Sequence, residues 1–279
     1  MKLENKVCLI TGATGGIGTL ISKRFSNEGA IIGLIGRNQS LLTELQKKLS
    51  NVNCFTIKSD LSDNSSILKA VEKVENKFGK IDVLVNCAAI QAPIGKFIDL
   101  ELSNWFNNIY INLFGTVSFT YYCLKLMIRN KKGKIINFSG GGATFARKFF
   151  TAYAVSKTAI VRFTETLATE IKEFNIDVNA IAPGVINTKM LDEILQKGEI
   201  LGDEYKNTKI KKEVGGDDPN LVADLVCFLA SEDSNGITGK LISAQWDPWQ
   251  DEEFRQLLKN DEDFAVLRRI DNKKFLRTL

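Results

Sequence analysis

The sequence predicts an α/β fold: a doubly wound parallel sheet at the centre of a three-layer α/β/α sandwich, in a single domain. Three observations lead there. Seven short apolar runs alternate with longer amphipathic stretches along the chain. The runs are continuously hydrophobic rather than alternating, so helices should cover both faces of the sheet. The first run leads directly into a glycine-rich turn and then a helical pattern.

Strands are read at VCLIT (7–11), IIGLI (31–35), NCFTI (53–57), DVLVN (82–86), KIINFS (134–139), DVNAIA (177–182) and KLISA (240–244). Between them, helical patterns occupy 16–28, 39–49, 63–78, 101–129, 152–174 and 219–231. The third opens on Ser62 or Asp63 as its cap, and the last on Asp218 followed by Pro219. No repeat, low-complexity segment or linker divides the chain. The domain is therefore read as 1–244, with a C-terminal extension, 245–279, packed on it. In that extension Asp247-Pro248 offers an N-cap and a first-turn proline. Acids at 251–253 suit the positive end of a helix, and Phe254, Leu257 and Leu258 form an apolar stripe. A short docked helix is expected, near the site mouth or a subunit boundary.

Composition narrows the chemistry. The 279 residues are 44% hydrophobic and 25% charged, with a formal net charge of +4 spread along the chain. The tightest basic run, KIKKE at 209–213, is followed by Asp217 and Asp218, so no nucleic-acid partner is expected. Five cysteines lack any CxxC pair and read as buried free thiols of a reducing compartment. Histidine is absent, which removes Ser-His-Asp and Cys-His catalysis and most zinc sites, so no metal is expected. The N-terminal apolar run, Val7–Ile10, is too short for a signal peptide or a membrane span. A cytoplasmic location with no membrane partner is the expectation.

A strand, a glycine turn and a helix start make a phosphate cradle: glycines admit the pyrophosphate, and the helix N-terminus supplies free N–H groups. The glycines fit two registers, TGxxxGxG through Gly12, Gly16 and Gly18, or TGxxGxxG through Gly12, Gly15 and Gly18. At the end of the second strand, where an acid would bind the adenosine ribose, the chain reads Gly36-Arg37. Gly36 repels no phosphate and Arg37 can clamp one, so NADP(H) is expected over NAD(H).

Separated motifs follow in order: TGATGGIG (11–18), Asp60-Leu61, NCAA (86–89), Asn112 in YINLFGT, the strand IINFS, YAVSK (153–157), NAIAPG (179–184) with Thr188, and ITGKLI (237–242). Over roughly residues 5–244 this string resembles the short-chain dehydrogenase/reductase family and its Rossmann-type fold. The compact branch is indicated, because YAVSK and the early ITG fit it and only about 35 residues follow the last strand. The register is then TGxxxGxG. The resemblance implies cofactor contacts from Gly12, Thr14, Gly16, Ile17, Gly18, Arg37, Asp60, Leu61, Asn86, Tyr153, Lys157, Pro183, Gly184 and Thr188. It places a substrate lid at about 185–216, where Lys189, Lys206, Lys209, Lys211 and Lys212 could meet an anionic substrate. It also implies a homodimer or tetramer packed through helices 101–129 and 152–174.

Tyr153 and Lys157, four apart, share a helix face. The resemblance gives Tyr153 the acid/base role, assisted by an ammonium that lowers its pKa. It gives Lys157 the nicotinamide ribose, and Asn112 a local helix bend and a water linking Lys157 to solvent. It departs at the carbonyl-polarising serine. Counting back thirteen from Tyr153, or forward three from Asn137, lands on Gly140. Ser139 lies one residue early, and Gly140–Gly142 would need to bulge to aim it into the site. Otherwise a backbone N–H, Thr144 or a water replaces it. The resulting expectation is an NADP(H)-dependent oxidoreductase acting on a carbonyl or secondary alcohol, such as a 3-oxoacyl thioester or sugar derivative. The alternatives are a nucleotide-binding regulatory protein with a degraded site and a sugar-nucleotide-modifying member of the family.

Overall fold

A computed structural model describes residues 1–49 and 53–269. The apolar runs become β1 (Val7–Thr11), β2 (Ile31–Gly36), β3 (Cys54–Lys58), β4 (Val83–Asn86), β5 (Gly133–Phe138), β6 (Ile176–Ala182) and β7 (Leu241–Ser243). They form one sheet in the order β3-β2-β1-β4-β5-β6-β7, every neighbouring pair parallel. β1, β4 and β5 are buried along their whole length, as continuous apolar runs require.

Helices cover both faces. On one lie α1 (Gly16–Asn27), α2 (Gln39–Lys48) and α9 (Pro219–Ala230), burying Phe25, Leu42 and Val222 against the sheet. On the other lie α3 (Asn64–Phe78), α5 (Gly115–Asn130) and α6 (Thr151–Glu170), burying Val74, Phe119 and Leu167. Capping follows the sequence: Asp63 accepts from Ser65 N at 2.9 Å, and Asp218 from Asn220 N at 2.9 Å with Pro219 in the first turn. The chain runs outward from β1 to β3, then crosses to β4 on the other side of β1. A crevice therefore opens beyond the carboxyl ends of β1 and β4.

The structure refines or departs from expectation in three elements. The helix expected over 101–129, with a local bend at Asn112, is divided into α4 (Leu102–Ile109), a widened π turn at Tyr110–Phe114, and α5. Asn112 sits in that turn with its side chain drawn onto the backbone of Ile90. The charge-rich stretch 185–216 holds two helices, α7 (Lys189–Lys197) and α8 (Asp203–Glu213). The extension's helix, α10 (Glu252–Asn260), starts later than Asp247-Pro248. The Asp247 carboxylate instead accepts from Ser243 N at 2.7 Å, closing the turn after β7.

The extension docks through Trp249, stacked on Phe228 with ring centroids 5.9 Å apart, and through the buried Leu258. Leu257 is 43% exposed, so the expected stripe is narrower than drawn. Beyond α10 the chain lies along the edge strand: Leu241 N donates to Ala265 O at 2.8 Å, and Lys240 Nζ to the carbonyls of Asp261 and Phe264 at 2.6 and 2.9 Å. An edge that could template pairing is thereby covered. Residues 270–279 of the predicted extension lie outside the described residues.

Candidate active site

The glycine turn after β1 leaves no room for side chains at three positions. Gly12 has φ +65°, and a Cβ there would lie 2.8 Å from Ala88 Cα. A Cβ on Gly18 would overlap the Gly12 carbonyl oxygen, and one on Gly16 would lie 2.8 Å from Thr188 Cγ2. Gly15, with ordinary φ −73°, meets only Gly12 O at 3.2 Å. The tight positions are those of TGxxxGxG. α1 has no acid in its first turn, and no side chain caps its N-terminus. Its leading N–H groups and positive dipole end thus suit a phosphate, and this cradle fits a dinucleotide.

Thr14 stands beside Gly36, whose added Cβ would lie 3.7 Å from Thr14 Oγ1. Arg37 follows, exposed at the end of β2. The Asp60 carboxylate is held below its usual range, chiefly by the Ser62 N–H at 2.9 Å, with the Arg37 charge adding to it. Leu61 is buried against Gly115 of α5. Asn86 is buried, with its side-chain amide engaged inside the fold. Its amide donates to Asn137 Oδ1 at 2.9 Å and Thr120 Oγ1 at 3.1 Å, inside a network that Asn137 extends to Thr164. That network ties β4 and β5 to α5 and α6 behind the site.

Beyond β5 lies a cavity of about 750 Å³. Ile17, Ser139, Gly140, Tyr153 and Lys157 line it, as do Pro183, Gly184 and Thr188 of the loop after β6. Lys157 Nζ donates to Phe138 O at 2.8 Å, and burial pushes its pKa down to about 8. Tyr153 corrects an expectation. Burial pushes its phenol up to about 12, and the charge pulling it back is Arg147. The Lys157 ammonium, 5.5 Å from the ring centroid, is directed at a carbonyl instead.

A Cβ on Gly140 would lie 2.5 Å from the Tyr153 hydroxyl, so the tyrosine occupies the space a residue-140 side chain needs. Ser139 is buried, and its Oγ has no hydrogen-bond partner among the described residues. Its own N–H still pairs with Ile181 O at 2.8 Å, and the turn begins one residue later, with Ala143 N donating to Gly140 O at 3.2 Å.

Asn112 lies outside the cavity lining. Its side chain bonds Ile90 N and O, each at 2.9 Å, and Ser156 Oγ at 3.1 Å, next to Lys157 in sequence. The lysines expected to meet an anionic substrate are partly taken by local pairs, Lys211 with Asp217 at 2.6 Å and Lys212 with Asp192 at 2.5 Å. Sequence reasoning missed Arg147, Gln91, Glu204 and Trp246, all of which line the cavity. Arg147 and Glu204 are 57 residues apart, and only the aromatic-flanked basic pair in FARKFF hinted at a role.

A doubly wound sheet with a dinucleotide cradle beside a buried Tyr-Lys pair defines an oxidoreductase of the dinucleotide-binding class. Residues 6–199 match the short chain dehydrogenase family model, and the chain belongs to that family. It is 36% identical over 246 residues to a 3-oxoacyl-(acyl-carrier-protein) reductase of Thermotoga maritima, covering 87% of this chain and 97% of that one. To a diacetyl reductase, (S)-acetoin forming, of Staphylococcus epidermidis it is 36% identical over 250 residues, covering 85% and 96%. Among solved structures, a xylitol dehydrogenase bound to NAD+ superposes with a TM-score of 0.81 at 28% identity, covering 87% of this chain and 98% of that one.

Proposed function

We propose that the protein is an NADP(H)-dependent reductase of a carbonyl compound, or the reverse oxidant of a secondary alcohol, with Tyr153 as the acid/base. The observation that carries this is the Tyr153–Lys157 pair buried in one cavity with the nicotinamide-side loop of Pro183, Gly184 and Thr188. When bound, the nicotinamide supplies or accepts the hydride. Gly12, Thr14, Gly16, Ile17 and Gly18 would hold its pyrophosphate, Asp60 and Leu61 its adenine, and Lys157 its ribose. Arg37, with no carboxylate beside it at Gly36, would take a 2′-phosphate.

The neutral phenol of Tyr153 would give its proton to the carbonyl oxygen, whose carbon takes the hydride. Burial favours this resting form and so favours reduction at neutral pH. The unpartnered Ser139 hydroxyl supports a role as the donor that polarises the carbonyl. Asn112 is a positioning residue that holds the Ile90 backbone and Ser156 beside Lys157. Residues 185–216 form the lid over the substrate, and 245–269 belong to an extension of the same domain.

The segment Leu102–Asn130 is long and apolar enough to cross a bilayer. It nevertheless buries Asn108, Asn112, Thr116 and Thr120 within the fold, which supports a helix packed in the domain.

The test is nicotinamide absorbance with NADPH and with NADH across a set of ketones. NADPH is expected to give the higher kcat/KM, and Tyr153→Phe to lower kcat by about 10²–10⁴ without loss of cofactor binding. Reduction should be flat through neutral pH. Oxidation, which needs the phenolate, should rise with pH well into the alkaline range. Equal rates for Tyr153→Phe and wild type would end the proposal.

A further inference from the structure

One cluster in the cavity bears on this mechanism only through the Arg147 charge that draws the Tyr153 phenol down, and is otherwise unused by it. Arg147 stands in the loop between β5 and α6 with a side chain only 16% exposed. Its guanidinium lies 3.8 Å from the Phe150 ring centroid, which fixes its plane. Nε donates to Glu204 Oε1 of α8 at 3.1 Å, and Nη2 donates to the same oxygen. With the Gln91 amide oriented by its partners, its oxygen accepts from Nη1 at 3.2 Å and its nitrogen donates to Met190 O at 3.1 Å. Nη1 also comes within 3.3 Å of the place a Cβ on Gly141 would take. Gly141 adjoins the glycine beneath the Tyr153 hydroxyl, so the guanidinium and the phenol flank consecutive backbone residues.

The donor count sets the ligand. A guanidinium carries five N–H groups, and these contacts engage three of them. Both Arg147 contacts to Glu204 fall on Oε1, which leaves Oε2 free of Arg147. The pair therefore offers a donor and an acceptor side by side on the cavity wall. Glu204 already balances the Arg147 charge, so the pair itself adds no net positive charge to hold a substrate carboxylate. A hydroxyl group matches instead: it accepts from an N–H and donates to the carboxylate.

We propose that the Arg147–Glu204 pair is a subsite for a hydroxyl group on the substrate, selecting hydroxylated ketones or polyols over alkyl ketones and acyl thioesters. The proposal rests on the reductase reading above and names its substrate class. Because Glu204 belongs to α8, a hydroxyl seated there also fastens the lid to the catalytic loop.

The test compares 1-hydroxy-2-butanone with 3-pentanone, which replaces the hydroxyl by a methyl group, together with longer pairs built the same way. The enzyme is the full chain with NADPH, and the reading is the ratio of kcat/KM within each pair. Wild type should prefer the hydroxyketone by on the order of 10², since a site built to bind a hydroxyl rejects the analogue lacking it. In Arg147→Gln that ratio should fall to near one, mostly through KM, and in Glu204→Gln by about tenfold. Melting curves show which variants fold. Should Arg147→Gln not fold, the wild-type ratio and Glu204→Gln decide the matter. A wild type indifferent to the hydroxyl, or a ratio unchanged in the folded variants, overturns the subsite alone. A wild type that moves no hydride between either nicotinamide cofactor and any member of the set overturns the reductase reading as well.

Discussion

Gly140 shows how one residue shapes the chemistry available. The family pattern places a serine at this position, and the sequence leaves open whether Ser139 replaces it. Geometry adds that the vacancy is filled: the Tyr153 hydroxyl stands 2.5 Å from where a side chain would begin. Restoring the serine must therefore displace the tyrosine or the end of β5. Gly140→Ser is expected to lower kcat by more than tenfold, whereas simple loss of a donor would predict a gain. Ser139→Ala, measured alongside, should cost about 10²–10³ in kcat, the usual loss when one polarising donor is removed. A Gly140→Ser variant faster than wild type would show that the tyrosine yields freely. The direction of the Tyr153 shift could not be read from sequence for a related reason. Spacing shows that Lys157 is near, but burial raises the phenol and the charge opposing it is Arg147, both set by tertiary packing.

At the scale of the element, the broken helix α4–α5 carries two unlike faces. Asn108, Asn112, Thr116 and Thr120 form its buried polar row. Leu102, Phe106, Tyr110 and Phe114, four residues apart, form an exposed apolar stripe that Tyr121 continues. A soluble monomer seldom leaves so continuous a stripe to water. The stripe supports the homo-oligomer expected from helices 101–129 and 152–174, and within the π turn Asn112 is buried while Tyr110 and Phe114 are exposed. Tyr110→Glu combined with Phe114→Glu is expected to convert a dimer or tetramer to a smaller species in sedimentation velocity. An unchanged sedimentation coefficient would place the interface elsewhere. The hydrophobic period announced this helix and the resemblance a bend at Asn112, but the partner that holds the bend is Ile90, twenty-two residues away, and no local pattern records that.

For the whole molecule, legibility divides along the range of the interactions. Seven strands, the glycine register and the Tyr-Lys face were readable because apolar runs, positive φ and helical spacing are written within a few residues. Arg147–Glu204, the late start of α10 and the strap along β7 were not, because each pairs distant segments. The extension shows what such pairing does. Trp249 is buried on Phe228 and donates to Ala244 O at 3.2 Å, holding the turn after β7 in place. Four residues earlier, Gln245 donates to Pro183 O at 3.2 Å and Asp218 O at 2.8 Å. Gly184 has φ +86°, and a Cβ there would lie 2.5 Å from Gln245 Cγ. The extension therefore braces the loop proposed to hold the nicotinamide. Trp249→Ala should destabilise the fold by about 3–5 kcal/mol, as for other large buried aromatics, seen as a lower midpoint in denaturant at constant m-value. Below that midpoint the same variant should raise KM for NADPH more than it lowers kcat, because the brace acts on the cofactor loop and not on Tyr153. A variant that loses stability with KM unchanged would confine the extension to covering the sheet edge, with no hold on the site.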